Sequence, residues 1–281
     1  LLTPEAKEGF YETSFKSCTY GDEIYGLPVF EQMNQVLYYR SDFAEEAGVT
    51  FEGDTLSWDD LVAAAQAMTT GDRYGLGFNG MGRGIVEPFA PFQYQNDSMM
   101  VVEEGDALVS TFGTEESTEA AKFFIDLWTE YGVVNPNNLG KGYTELVNDI
   151  GLGSVAMFTG ITQNYFAIGE LYPDIADLIK IAPPQTALQP STIGGAFSMS
   201  IFKYTQAPEE AYRFIEWTTS SENLAKYWLP LGNVLSTRPD VPSPLRASRS
   251  RTGVGRDGRR GSSGIERFEA PDEEPADLAP V

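Results

Sequence analysis

The 281-residue sequence predicts an α/β fold. Short apolar runs of strand length alternate with helical patterns of about 10–17 residues, the arrangement expected when strands are joined through helices. Capping and breaking residues (Ser57, Gly71, Pro183-Pro184, Pro208) separate the runs. An apolar content of 42% supports a packed core, and the length allows one or two domains at about 150 residues each.

The elements follow in order. Gln35-Val36-Leu37-Tyr38-Tyr39 reads as a strand. Ser57 opens a helix by accepting from the backbone N–H of Asp60, with Asp60 answering as a variant capping box. Trp58, Leu61, Val62, Ala65 and Met68 follow at helical spacing, and Gly71 stops the run. Tyr74 to Phe78 looks extended. A helix from about Glu115 to Tyr131 sets Ala121, Phe124, Trp128 and Tyr131 on one face. Ser154 to Phe158 and Leu178 to Ala182 are short apolar runs, and Ile193 to Phe202 is a longer strand candidate. Pro208 suits the first position of a helix, with Glu209 and Glu210 at the positive end of its dipole. Ala211, Phe214, Ile215 and Thr218 form its expected buried stripe. A further helix spans about Ser221 to Trp228.

Composition excludes several classes. Histidine is absent, which removes imidazole bases and most zinc sites. The lone Cys18 forms no internal disulfide and reads as a small core residue. A net charge of −22 disfavours nucleic acid and anionic membrane surfaces, because phosphate neutralisation needs clustered Lys and Arg. No stretch reaches the ~18 apolar residues of a membrane span, and the first residues lack the pattern of a signal peptide.

Motifs narrow the field further. Gly75-Leu76-Gly77-Phe78-Asn79-Gly80 matches G-x-G-x-x-G, but Met81-Gly82-Arg83-Gly84 and Pro88 are poor material for the helix that would meet a pyrophosphate. A glycine-rich loop is the better reading. Neither a P-loop nor a G-x-S-x-G elbow occurs. With 41 acids in the chain, carboxylate pairs carry no signal for a glycosidase. Asn96-Asp97-Ser98 fits the glycosylation pattern and weakly implies exposure.

The stretch Gly21 to Gly48 is more informative. A turn leads into amide and carboxylate side chains and then an apolar strand, and such groups hydrogen-bond hydroxyls in both directions. Tyr25-Gly26-Leu27-Pro28, Leu37-Tyr38-Tyr39, Asp42-Phe43 and Glu46-Ala47-Gly48 together resemble the extracellular solute-binding proteins of ABC importers, the maltose-binding-like group. In order along the chain, Leu56-Ser57-Trp58-Asp59-Asp60-Leu61, Gly153 to Gly160, Gly194-Gly195, Pro208 to Trp217 and Leu231 to Arg238 extend the resemblance, with Leu235 where the family usually has proline.

The resemblance implies a periplasmic-binding-protein-like (type II) two-lobe α/β fold, incomplete, with mostly the carboxy-terminal lobe present. Residues 1–28 would end the amino-terminal lobe and make the first crossing. Residues 29–191 would form the carboxy-terminal lobe, 192–202 the second crossing, and 203–242 amino-terminal-lobe helices with the third crossing. Deprived of their sheet, those helices should expose apolar faces. Residues 243–281, with seven arginines and seven acids, read as a disordered or foreign tail.

The implied activity is binding without catalysis: a sugar or oligosaccharide held between lobes and delivered to ABC permease subunits, with no cofactor or metal. The implied location is the extracellular face or periplasm, anchored through a preceding segment. Glu31 and Gln32 are expected hydroxyl partners, and Phe89 and Tyr94 stacking rings. Thr162, Gln163 and Tyr165 fall in a cleft loop, Gly194 and Gly195 allow close backbone approach, and Asn233 is a further candidate. An inactive remnant, or a carbohydrate-active hydrolase, is the alternative. The acidic excess with few lysines also reads as a salt-adapted surface. Unfolding temperature should therefore rise from dilute buffer to molar salt, and a flat dependence measured by circular dichroism would refute that adaptation.

Overall fold

The computed structural model describes residues 7, 9–21, 23–105, 107–231 and 234–241. Asn233 and the 243–281 tail lie outside them. The elements that position the site run in chain order: β1 Gly26–Asn34, β2 Val36–Arg40, α1 Ser41–Ala47, α2 Trp58–Met68, β3 Tyr74–Gly77, α3 Val86–Gln95, α4 Glu115–Thr129, α5 Tyr143–Leu152, β4 Val155–Gly160, α6 Thr162–Leu171, β5 Ile179–Ile181, β6 Ile193–Ser200, α7 Pro208–Thr218 and β7 Leu235–Ser236.

Two sheets organise the molecule. A four-stranded sheet has the order β5-β2-β4-β3, with β3 and β4 parallel and the other pairs antiparallel. Every residue of β4 is buried, which is the pattern of a strand covered on both faces. Its first cover is α2, α3 and α4, through Leu61, Met68, Phe92, Phe124 and Leu127. Its second is α5 and α6, through Leu146, Ile150 and Ile168. Phe78 gathers Phe92, Phe124 and Trp128 within 6.3 Å between ring centroids. Tyr38 stacks on Phe158 at 5.2 Å on the opposite layer. Burying side chains of this size stabilises by roughly 1.5–3 kcal/mol each.

The second sheet has three strands in the order β6-β1-β7, all antiparallel. Gly195 lies opposite Gln32 and Phe197 opposite Phe30, while Leu235 lies opposite Glu31 on the other side. The 3-10 segment Glu12–Cys18 packs on this sheet, where Phe15 and Cys18 meet Leu27 and Ile215. Cys18 is a buried free thiol, and burial raises its pKa.

Local signals explain the helix starts. Ser57 accepts from the Asp60 N–H at 3.0 Å, and the Asp60 carboxylate answers the Ser57 hydroxyl at 2.6 Å rather than its backbone. Thr114 caps α4 through the Ser117 N–H, and Pro208 is the first residue of α7.

Several expectations need correction. Gln35 is not in a strand: its φ of 62° turns the chain between β1 and β2. Gly75 and Gly77 lie within β3 rather than in a loop. Helix α3 forms where proline was expected to prevent it. Pro88 is its third residue, where the missing N–H has no intrahelical partner anyway, and Pro91 is tolerated inside a buried helix. Asn96 is buried, its amide donating to the Glu116 carbonyl at 2.9 Å, so the glycosylation pattern does not mark an exposed site. In α7 the buried stripe is Ile215 and Thr218, whereas Phe214 is 57% exposed beside Trp217. The helix expected over Ser221 to Trp228 is present, but only Ser221–Asn223 is α-helical and Leu224–Trp228 widens into a π-helix.

Gly75 is required by close approach: a Cβ there would stand 1.9 Å from the Ala65 carbonyl oxygen of α2. Gly75→Ala should cost at least about 2 kcal/mol, because helix and strand must separate. Chemical denaturation with an unchanged midpoint would contradict that close packing.

Candidate functional site

The parallel pair β3 and β4 ends at one edge of the four-stranded sheet, and the crevice beyond the carboxyl ends of such strands is where α/β sheets receive ligands. Asn79 follows β3 there. Gly160 ends β4 and Thr162 follows it, and Gln35 precedes β2, whose Val36 lies opposite Gly160. Gly160 is needed at that edge, since a Cβ would approach the Asn164 side-chain oxygen to 2.5 Å. Asn164 in turn accepts from the Ile161 N–H at 2.9 Å and fixes the start of α6. Gln163, in the first turn of α6, is thereby aimed at the three-stranded sheet, and its Oε1 accepts from Nε2 of Gln32.

Four polar residues at this edge were not singled out in the sequence. The Tyr143 hydroxyl donates to Glu87 Oε2 at 2.5 Å and accepts from Gln35 Nε2 at 3.1 Å, and Asn79 hydrogen-bonds the same phenol. Burial first, then donation to the Glu87 carboxylate, pushes the Tyr143 pKa above the usual phenol value. Gln35 is 2% exposed and its backbone oxygen accepts from Thr192 Oγ1 at 3.2 Å. Its side-chain Oε1 is buried without a partner among the described residues. A left-handed glutamine with an unpaired buried oxygen is held against its own preference, a feature that clusters at functional sites. Its only sequence signal was one amide between two apolar strands.

The expected site residues divide into groups. Gln32 and Gln163 meet directly. Glu31 does not join them, because adjacent residues of a strand point to opposite faces. Its carboxylate accepts from Ser14 Oγ at 2.5 Å. With Lys16, Ser17, Gly194 and Gly195 it lines a hollow of about 500 Å³ beside the 3-10 segment. Thr162 is buried at the start of α6. Tyr165 packs on the core, its ring 6.2 Å from Tyr38. Phe89 is half-buried against Phe112 and Phe124. Tyr94 is half-buried about 10 Å along α3 from Glu87, and its carbonyl accepts from Gln189 at 2.9 Å. Asn233 is outside the described residues.

Chemically the edge offers amides that donate and accept, a carboxylate and a phenol. These suit hydroxyl groups. Among the described residues no group of His, Cys, Asp and Glu is arranged to hold a metal, and no helix is long and apolar enough to cross a membrane.

The model for bacterial extracellular solute-binding proteins matches residues 3–248. The chain belongs to that family. Its fold is the mixed α/β fold of periplasmic sugar-binding proteins. One similar structure is an ABC transporter solute-binding protein from Thermotoga lettingae TMO bound with α-D-tagatose. It is 25% identical, with a TM-score of 0.73 over 84% of this chain and 60% of that one. Another is maltose-bound MalE3 of T. maritima, at 20% identity and a TM-score of 0.69 over 83% of this chain and 59% of that one. A third, from Agrobacterium vitis S4, holds D-mannitol, at 19% identity and a TM-score of 0.67 over 83% of this chain and 57% of that one. This chain thus spans about 60% of the tagatose-bound relative's length. Among curated proteins none matches.

The Tyr143 environment makes a pH prediction. Below about pH 10, the ordinary phenol value, folded and unfolded chains both keep the proton. Above it the unfolded chain releases the proton while native Tyr143 retains it, so stability falls as pH rises. Tyr143→Phe should make the decline of unfolding free energy above about pH 10 shallower. An unchanged slope would mean that Tyr143 titrates normally.

Proposed function

We propose that this chain is the greater part of a binding protein that grips a neutral polyhydroxylated solute, a sugar or polyol, and delivers it to an ABC importer. One observation carries the reading: Gln32 of the three-stranded sheet and Gln163 at the start of α6 meet where β3 and β4 end. Two amides so placed present donors and acceptors that a ring of hydroxyls can exchange for their mutual bond. The sugars and polyols in the related structures support the solute class.

In this reading β1, β6 and β7 are the crossings between lobes. Residues 29–191 are the carboxy-terminal lobe, and 1–28 with 203–242 belong to the other. Closure about that sheet is a hinge motion, and the importer's permease subunits take the closed form. Gln32, Gln163, Gln35, Glu87 and Tyr143 serve the solute, with Thr162 shaping the loop and Glu31, Gly194 and Gly195 the adjoining hollow. Phe89, Tyr94 and Tyr165 support the wall from the core side. No chemistry is performed on the solute. The family's description places its members outside the cell, and attachment through a preceding lipid-bearing segment and adaptation to salt complete the proposal.

Calorimetric titration with tagatose, mannitol, glucose and maltose should give heat for at least one. The double variant Gln32→Ala with Gln163→Ala should weaken that binding at least about tenfold, two hydrogen-bonding partners being lost. Glucose 6-phosphate should bind more weakly than glucose, since Glu87 and Glu31 repel an anion. Absence of heat with every solute would favour an inactive remnant. Product released from maltose would favour a hydrolase.

A further inference from the structure

The hollow beside the 3-10 segment Glu12–Cys18 stands apart from the meeting of Gln32 and Gln163. Cross-strand partners share a face, so Ala196 of β6 lies on the side of β1 that carries Glu31, and Gly194, two residues earlier, lies on that side as well. These positions present only a methyl group and a hydrogen, and a space of about 500 Å³ opens between the sheet and the 3-10 segment. No described residue from 36 to 191 lines it, so the four-stranded sheet takes no part. Among the described lining residues Glu31 is the one carboxylate and Lys16 the one cation. Neither has an ion-pair partner among the described residues. Glu31, on the sheet, is oriented by the hydroxyl of Ser14, itself 1% exposed, which donates to Oε1 at 2.5 Å. Lys16 is exposed on the wall that the 3-10 segment makes. The Ser17 hydroxyl donates to the Ala196 carbonyl at 2.8 Å, which leaves its oxygen able to accept, and Thr13 adds a second hydroxyl.

One unpaired charge of each sign on the walls of one hollow selects its occupant. A simple anion would gain Lys16 but meet Glu31 and a chain of net charge −22. A simple cation would gain Glu31 but meet Lys16. A molecule that carries both charges and no net charge satisfies each wall and is indifferent to the charge of the whole chain. We propose that this hollow binds a small neutral zwitterion of the amino-acid type. Its carboxylate accepts from the Lys16 ammonium, and its ammonium donates to Glu31 and to the Ser17 hydroxyl. Both are charge-assisted bonds, the stronger class of hydrogen bond. The missing side chain at Gly194 leaves room for the substituent on the ligand's α-carbon. The hollow is open and Lys16 is exposed, so solvent screens the charges and the dissociation constant is about millimolar. The site shares no residue with the Gln32–Gln163 pair and does not depend on the sugar reading.

The test titrates the 281-residue chain with L-alanine, acetate and methylammonium, following amide chemical shifts by NMR. Lys16→Gln and Glu31→Gln are titrated alongside. Lys16 is exposed, and an amide at position 31 still accepts from Ser14, so both variants should keep the native circular dichroism spectrum. The expected result is saturable binding of alanine, at least about tenfold weaker in either variant, with acetate and methylammonium each weaker than alanine by a similar factor. No shift at about 50 mM alanine, far above a millimolar dissociation constant, overturns the site. Acetate bound as well as alanine overturns it too, since the hollow would then be an anion site only. Alanine affinity unchanged in both variants places the amino acid elsewhere and overturns it. So does alanine binding that Gln32→Ala with Gln163→Ala abolishes while Lys16→Gln spares it, because alanine would then occupy the solute grip. Alanine bound as expected by a chain that gives no heat with any sugar supports this site and removes the sugar reading, so the two fail separately.

Discussion

The pairing of Gly26–Asn34 with two distant strands is the constraint on which the site depends. Its partners are Ile193–Ser200 on one side and Leu235–Ser236 on the other. Both pairings join segments more than 150 residues apart in sequence, and their loop-closure cost is offset only when the rest of the fold is in place. Once made, the register admits little freedom. A slip of one residue would turn Gln32 away from Gln163 and carry Phe30 to the opposite face. The same alternation separates Glu31 from Gln32, so that two neighbouring polar residues serve two different surfaces.

The four-stranded sheet supplies the fixed wall. Its central strand is buried on both faces, and the layers of rings around Phe78 and Tyr38 leave the edge beyond β3 and β4 no room to drift. That rigid edge gathers three costly features: a left-handed glutamine, a half-buried phenol held against a carboxylate, and a buried amide oxygen with no partner among the described residues. Each costs stability by itself. Together they form a connected polar network whose members hold one another in place.

The segment around α7 shows the opposite balance. It meets the three-stranded sheet through Ile215 and Thr218, spaced i and i+3, while Phe214 and Trp217 stack on the neighbouring flank with Tyr227 beyond them. An amphipathic helix can bury only the stripe that a neighbour covers, and here the covered stripe is narrower than the apolar one.

From the sequence alone came the α/β class, the family, the start of α2 at Ser57 and of α7 at Pro208, and three segments whose motifs resembled interlobe crossings. Those signals are local: a cap, a helix-breaking proline and a run of apolar residues act within a few positions. The partners of Gln32 and the exclusion of Glu31 from that pair were decided by strand register, which no local pattern records. Gln35, Asn79, Glu87 and Tyr143 were illegible because four separate elements bring them together, and one amide, one carboxylate or one phenol has no signature in a chain with 41 acids. Phe214 lost the burial expected of it because apolar spacing tells which residues share a helix face, while only packing tells which face finds a cover.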